Sequence, residues 1–437
     1  VPLKVLIIRL SAIGDVVHAL PLAAAIKRIA PDSEITWIVE PLAASLVQHN
    51  PVVDKVLVLP HKAALRSIRS FKFNDRSVGA FQDFWKEFRA GHYDVAIDAQ
   101  GLFKSAILTY LSGAKIRIGF KGTREFADRF LTSAIDIGDY FGPDRPLVEL
   151  YLELARNFAK LSQLGVSEDQ LKPDFPLPLP PAESKTRVMK WLGDLAGKQL
   201  STPPNLASGG GQKPESTDLV PPPPNSPSTP GTGSLPTTKN DPLEDPNLYI
   251  GREKLDAEAL GTDSLAPKAQ PVAVLIPGTT WSSKIWASEK WVSLATRISR
   301  DLKHSLVLMG GPAEAESNAA LAEAIKAASG ATVLNLTGQA TLIDLVALFK
   351  KSDLVVGADT GPLHIAAATG APKVVGIYGP TPTARNGPYG DNSTTVALSL
   401  SCQPCFEKIC PLGTKACLVD LSPDFAFEKI RSFVNEP

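Results

Sequence analysis

Apolar positions along this chain fall in short continuous runs separated by longer amphipathic stretches. The first run, Val5-Leu6-Ile7-Ile8, has no polar alternation, as expected of a strand buried on both faces of a parallel sheet. Similar runs predict strands at residues 4–9, 34–39, 55–59, 95–98 and 116–119, with helical patterns at 22–29 and 81–89 between them. Pro21 falls inside the first helical pattern, so that helix is expected to start or kink there. The rhythm resumes after residue 270. Strands are predicted at 272–276, 305–309, 332–336, 354–357 and 374–378, and helices at 289–302, 313–328, 341–350 and 363–369. A last helix takes Ser422 as N-cap and Pro423 at N1, and runs to residue 434. This alternation in both halves predicts an α/β fold with two doubly wound, Rossmann-like sheets.

Between the halves the pattern stops. Residues 201–250 hold 12 of the 38 prolines, with many Ser, Thr, Gly and Asn. Such a segment buries too little apolar surface to offset its ordering entropy. Residues 197–269 are therefore expected to be a disordered Pro/Ser/Gly-rich insertion or linker. It would join an N-terminal domain, 1–196, to a C-terminal domain, 270–437. Two such domains imply a cleft with one ligand held by each side.

Composition narrows the function classes. The chain has 437 residues and is 44% apolar, which suits two ordinary cores. Lys plus Arg and Asp plus Glu balance at 45 each, so charge gives no argument for nucleic acid. No apolar run approaches bilayer-spanning length, and no basic, apolar leader opens the chain. A soluble, cytoplasmic protein that can still dock on a membrane surface is the expectation.

Candidate chemistry sits where predicted strands end. Asp15, in Leu10-Ser11-Ala12-Ile13-Gly14-Asp15, lies just after the first strand, at the mouth of the sheet. A carboxylate there would repel phosphate, so proton chemistry is expected; the structural alternative is an N-cap of the first helix. In the second half, Asp359-Thr360-Gly361 joins a strand to a helix. Thr360 and Gly361 offer a hydroxyl and N–H groups for a phosphate, with His364 one turn further on. The alternative makes Asp359 or Thr360 an N-cap and leaves His364 packed or exposed. Thr279, Thr280 and Lys284 follow the 272–276 strand and suit a pyrophosphate, with the lysine as a point charge. Trp281, Trp286 and Trp291 read as core or interface aromatics. Glu314 can accept ribose hydroxyls or serve as a helix-dipole partner. None of these loops carries a dinucleotide fingerprint or a P-loop.

In the first half, Gln100 and Lys104 follow the 95–98 strand and can contact a polar acceptor. Lys62, Arg66, Arg69 and Arg76 share a helical stripe suited to phosphates or anionic headgroups, or to plain solvation. Arg124 is a further anion contact. Cys402, Cys405, Cys410 and Cys417 form one local group whose spacing fits no standard zinc module. They read as structural, with a metal left open.

Together these motifs resemble glycosyltransferase family 9, the ADP-heptose:lipopolysaccharide heptosyltransferases. The residues that carry it are Leu10 to Pro21, Asp98-Ala99-Gln100-Gly101, Lys284-x-Trp286, Asp359-Thr360-Gly361-x-x-His364 and Tyr378-Gly379-Pro380-Thr381. The resemblance runs from residue 3 to about residue 434, and the first half is most similar to the heptosyltransferase I branch. It implies a GT-B fold and inverting transfer without metal or cofactor. The donor would be ADP-L-glycero-D-manno-heptose, and the acceptor the Kdo/heptose inner core on lipid A. Asp15 would be the general base. Thr279, Thr280, Lys284, Thr360, Gly361 and His364 would hold the departing ADP, Asp359 the sugar and Glu314 the ribose. Lys62, Arg66, Arg69, Gln100, Lys104 and Arg124 would face the acceptor. The protein would act as a monomer at the cytoplasmic face of the inner membrane. One departure stands out: Pro146-Leu147-Val148-Glu149-Leu150 lacks the His and Arg of the branch's His-x-Val-Glu-Arg, which would help bind acidic acceptor sugars. Two alternatives stay open. One is a relative with another nucleotide-sugar or acceptor; the other is a noncatalytic nucleotide-sugar-binding protein. An oxidoreductase reading lacks its glycine fingerprint.

Overall fold

The computed structural model describes residues 2–60, 75–200 and 270–436. Lys62, Arg66 and Arg69 lie outside the described residues, as does the 201–269 span.

The continuous apolar runs form the strands. β1 (Lys4–Ile8), β2 (Glu34–Val39), β3 (Lys55–Val58), β4 (Val95–Asp98), β5 (Ile116–Phe120) and β6 (Ser133–Ile135) make one sheet, ordered β3-β2-β1-β4-β5-β6. β7 (Val272–Ile276), β8 (Ser305–Leu308), β9 (Val333–Asn335), β10 (Leu354–Ala358), β11 (Lys373–Ile377) and β12 (Ser393–Val396) make the second, ordered β12-β11-β10-β7-β8-β9. Every neighbouring pair is parallel. Along β1, Val5 and Ile7 enter one buried cluster and Leu6 and Ile8 another, so both faces are covered. Strand order reverses between β1 and β4, and again between β7 and β10. Those are the switch points where open α/β sheets bind ligands.

Val1–Ser201 and Gln270–Pro437 cluster into one compact unit. Within it the two sheets meet through helices. The Ile13–Ile29 helix packs on Leu147–Leu161 and on Gly361–Ala368, and the Ala182–Leu200 helix packs on Leu342–Phe349. Arg187 pairs with the fully buried Asp344 at 3.1 Å in the second of these contacts.

The first helix differs from its expectation. It begins at Ile13 and continues through Pro21, which is buried inside it. Most of its residues are buried, so apolar side chains occur all round and no one-sided pattern marks its start. The β6 and β12 strands were not expected, because they are short and largely half-buried. The Leu147–Leu161 helix was not expected either, although Leu147, Leu150, Tyr151, Leu154, Ala155 and Phe158 give it a regular buried face. The Pro146–Leu150 stretch opens this helix, with Leu147 and Leu150 in the core.

Candidate functional site

β1 delivers Arg9 to the first switch point. Arg9 is only 4% exposed. Its Nη1 donates to the Ala99 carbonyl at 2.8 Å, and its Nη2 pairs with Asp15 Oδ2. Burial works against the Arg9 charge, but the Asp15 carboxylate beside it holds the guanidinium above its ordinary pKa. Asp15 itself is not on a loop. It occupies the first turn of the Ile13–Ile29 helix, where its Oδ2 accepts from Ala12 N at 3.3 Å. Ala12, rather than Asp15, is the N-cap. An acid in a first turn complements the helix dipole, which explains the placement locally. The Asp15 side chain remains 34% exposed, so an outside hydroxyl can reach it.

The β4 loop braces this corner. Asp98 Oδ1 accepts from Gln100 N and Gly101 N, both at 2.9 Å, and Ser105 Oγ donates to Oδ2 at 3.1 Å. Burial pushes the Asp98 carboxyl up despite these bonds. Gln100 Oε1 accepts from Leu10 N and Ser11 N at 3.0 and 3.2 Å, tying the β4 loop to the β1 loop. Lys104 Nζ lies 2.7 Å from Glu40 Oε1. Gln100 and Lys104 therefore already have protein partners. Arg124 is exposed, with Cζ 4.8 Å from the Phe141 ring centroid.

At the second switch point, Asp359 is the hub. Lys284 Nζ lies 2.6 Å from Asp359 Oδ2, and Thr381 Oγ1 donates to the same oxygen at 2.5 Å. Thr279 Oγ1 donates to the Asp359 carbonyl at 3.3 Å. Lys284 Nζ also stands 4.3 Å from the Trp281 ring centroid. Trp281 is half-buried beside it, while Trp286 and Trp291 are buried edge to face at 5.3 Å. Thr280 is exposed. Thr360 takes the N-cap position of the Gly361–Ala368 helix without a side-chain capping bond. Glu314 Oε2 accepts from Gly311 N at 2.7 Å, as the dipole-partner alternative has it. Its carboxylate also rests against the β7 loop: a Cβ at Gly278 would fall 1.7 Å from Glu314 Oε1, so a side chain there would push the glutamate tip aside.

The two switch points adjoin. A Cβ at Gly361 would lie 2.7 Å from Ile13 Cβ and 3.3 Å from Gly14 N, and one at Gly14 would lie 2.5 Å from His364 Cδ2. His364 is packed on the first helix, its ring centroid 4.3 Å from that of His18. Both histidines are buried, and among the described residues both His18 nitrogens and His364 Nδ1 lack partners. Burial lowers the pKa of each. Arg9 and Arg385 add to the effect at His18, as does His364; at His364, Lys284 adds to it while Asp359 and Asp15 oppose it. Both are thus held toward the neutral form when folded, His18 the more strongly, whereas the unfolded chain titrates near 6.5. Below that pH the unfolded state takes up protons that the native state refuses. Stability should fall there, by at most about 1.4 kcal/mol per pH unit for each histidine, until pH reaches that histidine's lowered folded pKa. Melting temperature followed from pH 7.5 to 5 should drop more steeply in wild type than in His18→Gln, since the opposing effect of the raised Asp98 carboxyl is common to both. Equal slopes would remove the pair as the cause.

Arg9, Tyr140, Tyr151 and Arg385 also gather here and were not singled out from sequence, while Thr381 entered only as the end of the Tyr378–Thr381 motif. An arginine ending a buried strand was a usable signal for Arg9. The cysteines are free thiols, and all four line one cavity of about 30 Å³. Backbone N–H groups, led by that of Lys415, lower the Cys410 thiol, while burial and the other three thiols raise Cys417. Among the described residues, no group of three or more His, Cys, Asp or Glu is arranged to hold a metal ion.

Known proteins carry the same architecture. The profile of glycosyltransferase family 9 (heptosyltransferase) matches residues 81–198 and 242–416, more than half of the chain. Lipopolysaccharide heptosyltransferase 1 of Pseudomonas aeruginosa is 26% identical over 411 residues, covering 93% of this chain and 87% of that one. Its namesake in Escherichia coli is 25% identical over 422 residues, covering 96% and 99%. Among solved structures, the family 9 glycosyltransferase of Veillonella parvula superposes with a TM-score of 0.67 at 16% identity, covering 99% of this chain and 98% of that one. The Escherichia coli heptosyltransferase WaaC with ADP gives 0.63 at 22% identity, covering 99% and 100%. At such identities the structures speak for the fold alone, and that fold is GT-B. Taken with the profile match and the two Rossmann-like sheets, this means that the chain belongs to glycosyltransferase family 9 (heptosyltransferase) and is a glycosyltransferase.

Proposed function

We propose that this chain transfers heptose from ADP-heptose to the inner core of lipopolysaccharide with inversion at the anomeric carbon. The observation that supports it best is the apposition of Asp15 with the Thr360–Gly361 helix start, acid on one side and open N-terminus on the other. An acceptor hydroxyl gives its proton to Asp15 as its oxygen bonds to the anomeric carbon. The bond from that carbon to the phosphate oxygen breaks, and its electron pair leaves with ADP. Lys284, Thr279, Thr280 and the dipole of the Gly361–Ala368 helix stabilise the departing pyrophosphate. Glu314 takes the ribose, and Asp359 orients Lys284 and the sugar. Two names support the donor: the Escherichia coli heptosyltransferase was solved with ADP and with ADP-2-deoxy-2-fluoro heptose.

A lipid-linked acceptor puts the reaction at the cytoplasmic face of the inner membrane. No helix among the described residues is long and apolar enough to cross a membrane. The test is a donor screen with ADP-heptose, ADP-glucose and UDP-sugars on Kdo-lipid A, scored by release of free nucleotide. ADP-heptose should be turned over fastest. Preference for a UDP-sugar would overturn the donor, and turnover of none would favour a binding role.

A further inference from the structure

Among the described residues, Arg385 carries a buried charge without a counter-ion. It lies in the short Thr383–Asn386 helix after β11, on the side of the sheet where ligands bind. The residue is 7% exposed, its Nη1 has no hydrogen-bond partner, and no carboxylate among the described residues pairs with it. A neighbour from the first half stands close to it: its Cζ is 5.3 Å from the Tyr140 ring centroid.

Tyr140 marks the neighbourhood. Tyr140 and Tyr151 both sense Arg9, Arg385 and Asp15, and burial pushes both hydroxyls up, leaving neutral donors. Among the described residues, Tyr151 Oη and Arg9 Nε are also buried without partners. The two nearby acids are committed elsewhere, Asp15 to Arg9 and Asp98 to Gln100, Gly101 and Ser105. Leaving a buried cation and several donors unpaired is costly, and the cost disappears when an anion arrives. A planar guanidinium favours a planar, two-oxygen partner. Lys284 already serves the pyrophosphate side, whereas Arg385 faces the half that carries Asp15. The anion therefore belongs to the acceptor.

We propose that Arg385, beside Tyr140, binds a carboxylate of the acceptor next to the hydroxyl that Asp15 deprotonates. This rests on the transfer reading above and assigns to Arg385 the recognition of the acceptor's carboxylate. It also supplies a basic group from the second half, where Pro146 and Leu150 offer none in the first.

Three proteins decide it: wild type, Arg385→Lys and Arg385→Met. They are assayed with Kdo-lipid A and with the same acceptor after its carboxylates are reduced to alcohols. Arg385→Met should raise the acceptor KM roughly 10- to 100-fold and leave the donor KM unchanged. It should also lose wild type's preference for the acidic acceptor, with Arg385→Lys in between. Without ligand, its melting temperature should be no lower than wild type's, because an unpaired buried cation has gone. A lowered melting temperature with acceptor preference intact would make Arg385 a strut between the halves and overturn the proposal. Wild type using both acceptors equally would overturn it while transfer stands. If wild type transfers to neither, calorimetry with free Kdo decides: binding to wild type but not Arg385→Met upholds the site, and equal or absent binding removes it.

Discussion

Asp15→Asn should slow transfer by about 10²- to 10⁴-fold, the usual contribution of a general base, and leave ADP affinity unchanged. The amide cannot take the acceptor's proton. It keeps the shape of the carboxylate and an oxygen for Arg9 and Ala12 N, so the corner stays assembled. Asp15→Ala is the poorer probe. It strands Arg9, whose guanidinium is 4% exposed. Breaking a fully buried pair costs about 3–5 kcal/mol, and solvent at the one-third-exposed Asp15 reduces that figure. Alanine would therefore mix lost stability with lost catalysis, and asparagine separates them. The measurements are kcat at saturating substrates, ADP binding by calorimetry, and melting temperature. A loss of ADP affinity comparable to the loss of rate would make Asp15 a binding residue and end its assignment as base.

How much of this was legible in the sequence depends on the range of the interaction. Strands buried on both faces announce themselves as unbroken apolar runs, so β1, β2, β4 and β7 were readable almost to the residue. The loops that follow them were readable for the same reason. Once the strands are set, Asp15, Lys284 and Thr360 must stand at sheet mouths. What their side chains do there was not legible. Lys284 and Asp359 were both assigned to ligand, yet they hold each other across 75 residues of chain. Gln100 and Lys104 were assigned to the acceptor, and each has a partner on a neighbouring loop. Arg385 gave no signal at all, because its meaning comes from Tyr140 in the other half. Local pattern fixes where a residue stands along the chain; only packing tells whether its charge is spent.

That distinction decides what Lys284→Ala should do. The Lys284 and Asp359 side chains are 13% and 8% exposed, so each is the other's main compensation for leaving water. Donor kcat/KM should fall by about 10²- to 10³-fold, as when one preorganised donor to a developing charge is removed. Stability should fall too, because Asp359 keeps only the Thr381 hydroxyl and loses its cation. Removing one partner of a buried pair typically costs about 3–5 kcal/mol. Adding Asp359→Asn to Lys284→Ala removes the stranded charge, so the double variant should recover most of the lost melting temperature. It should recover none of the lost donor use, since the cation that meets the pyrophosphate is still missing. The double-mutant cycle thus splits the two roles of one lysine. Unchanged donor kinetics in Lys284→Ala would remove the leaving-group assignment. Failure of Asp359→Asn to restore stability would show that the lysine's structural partner lies elsewhere.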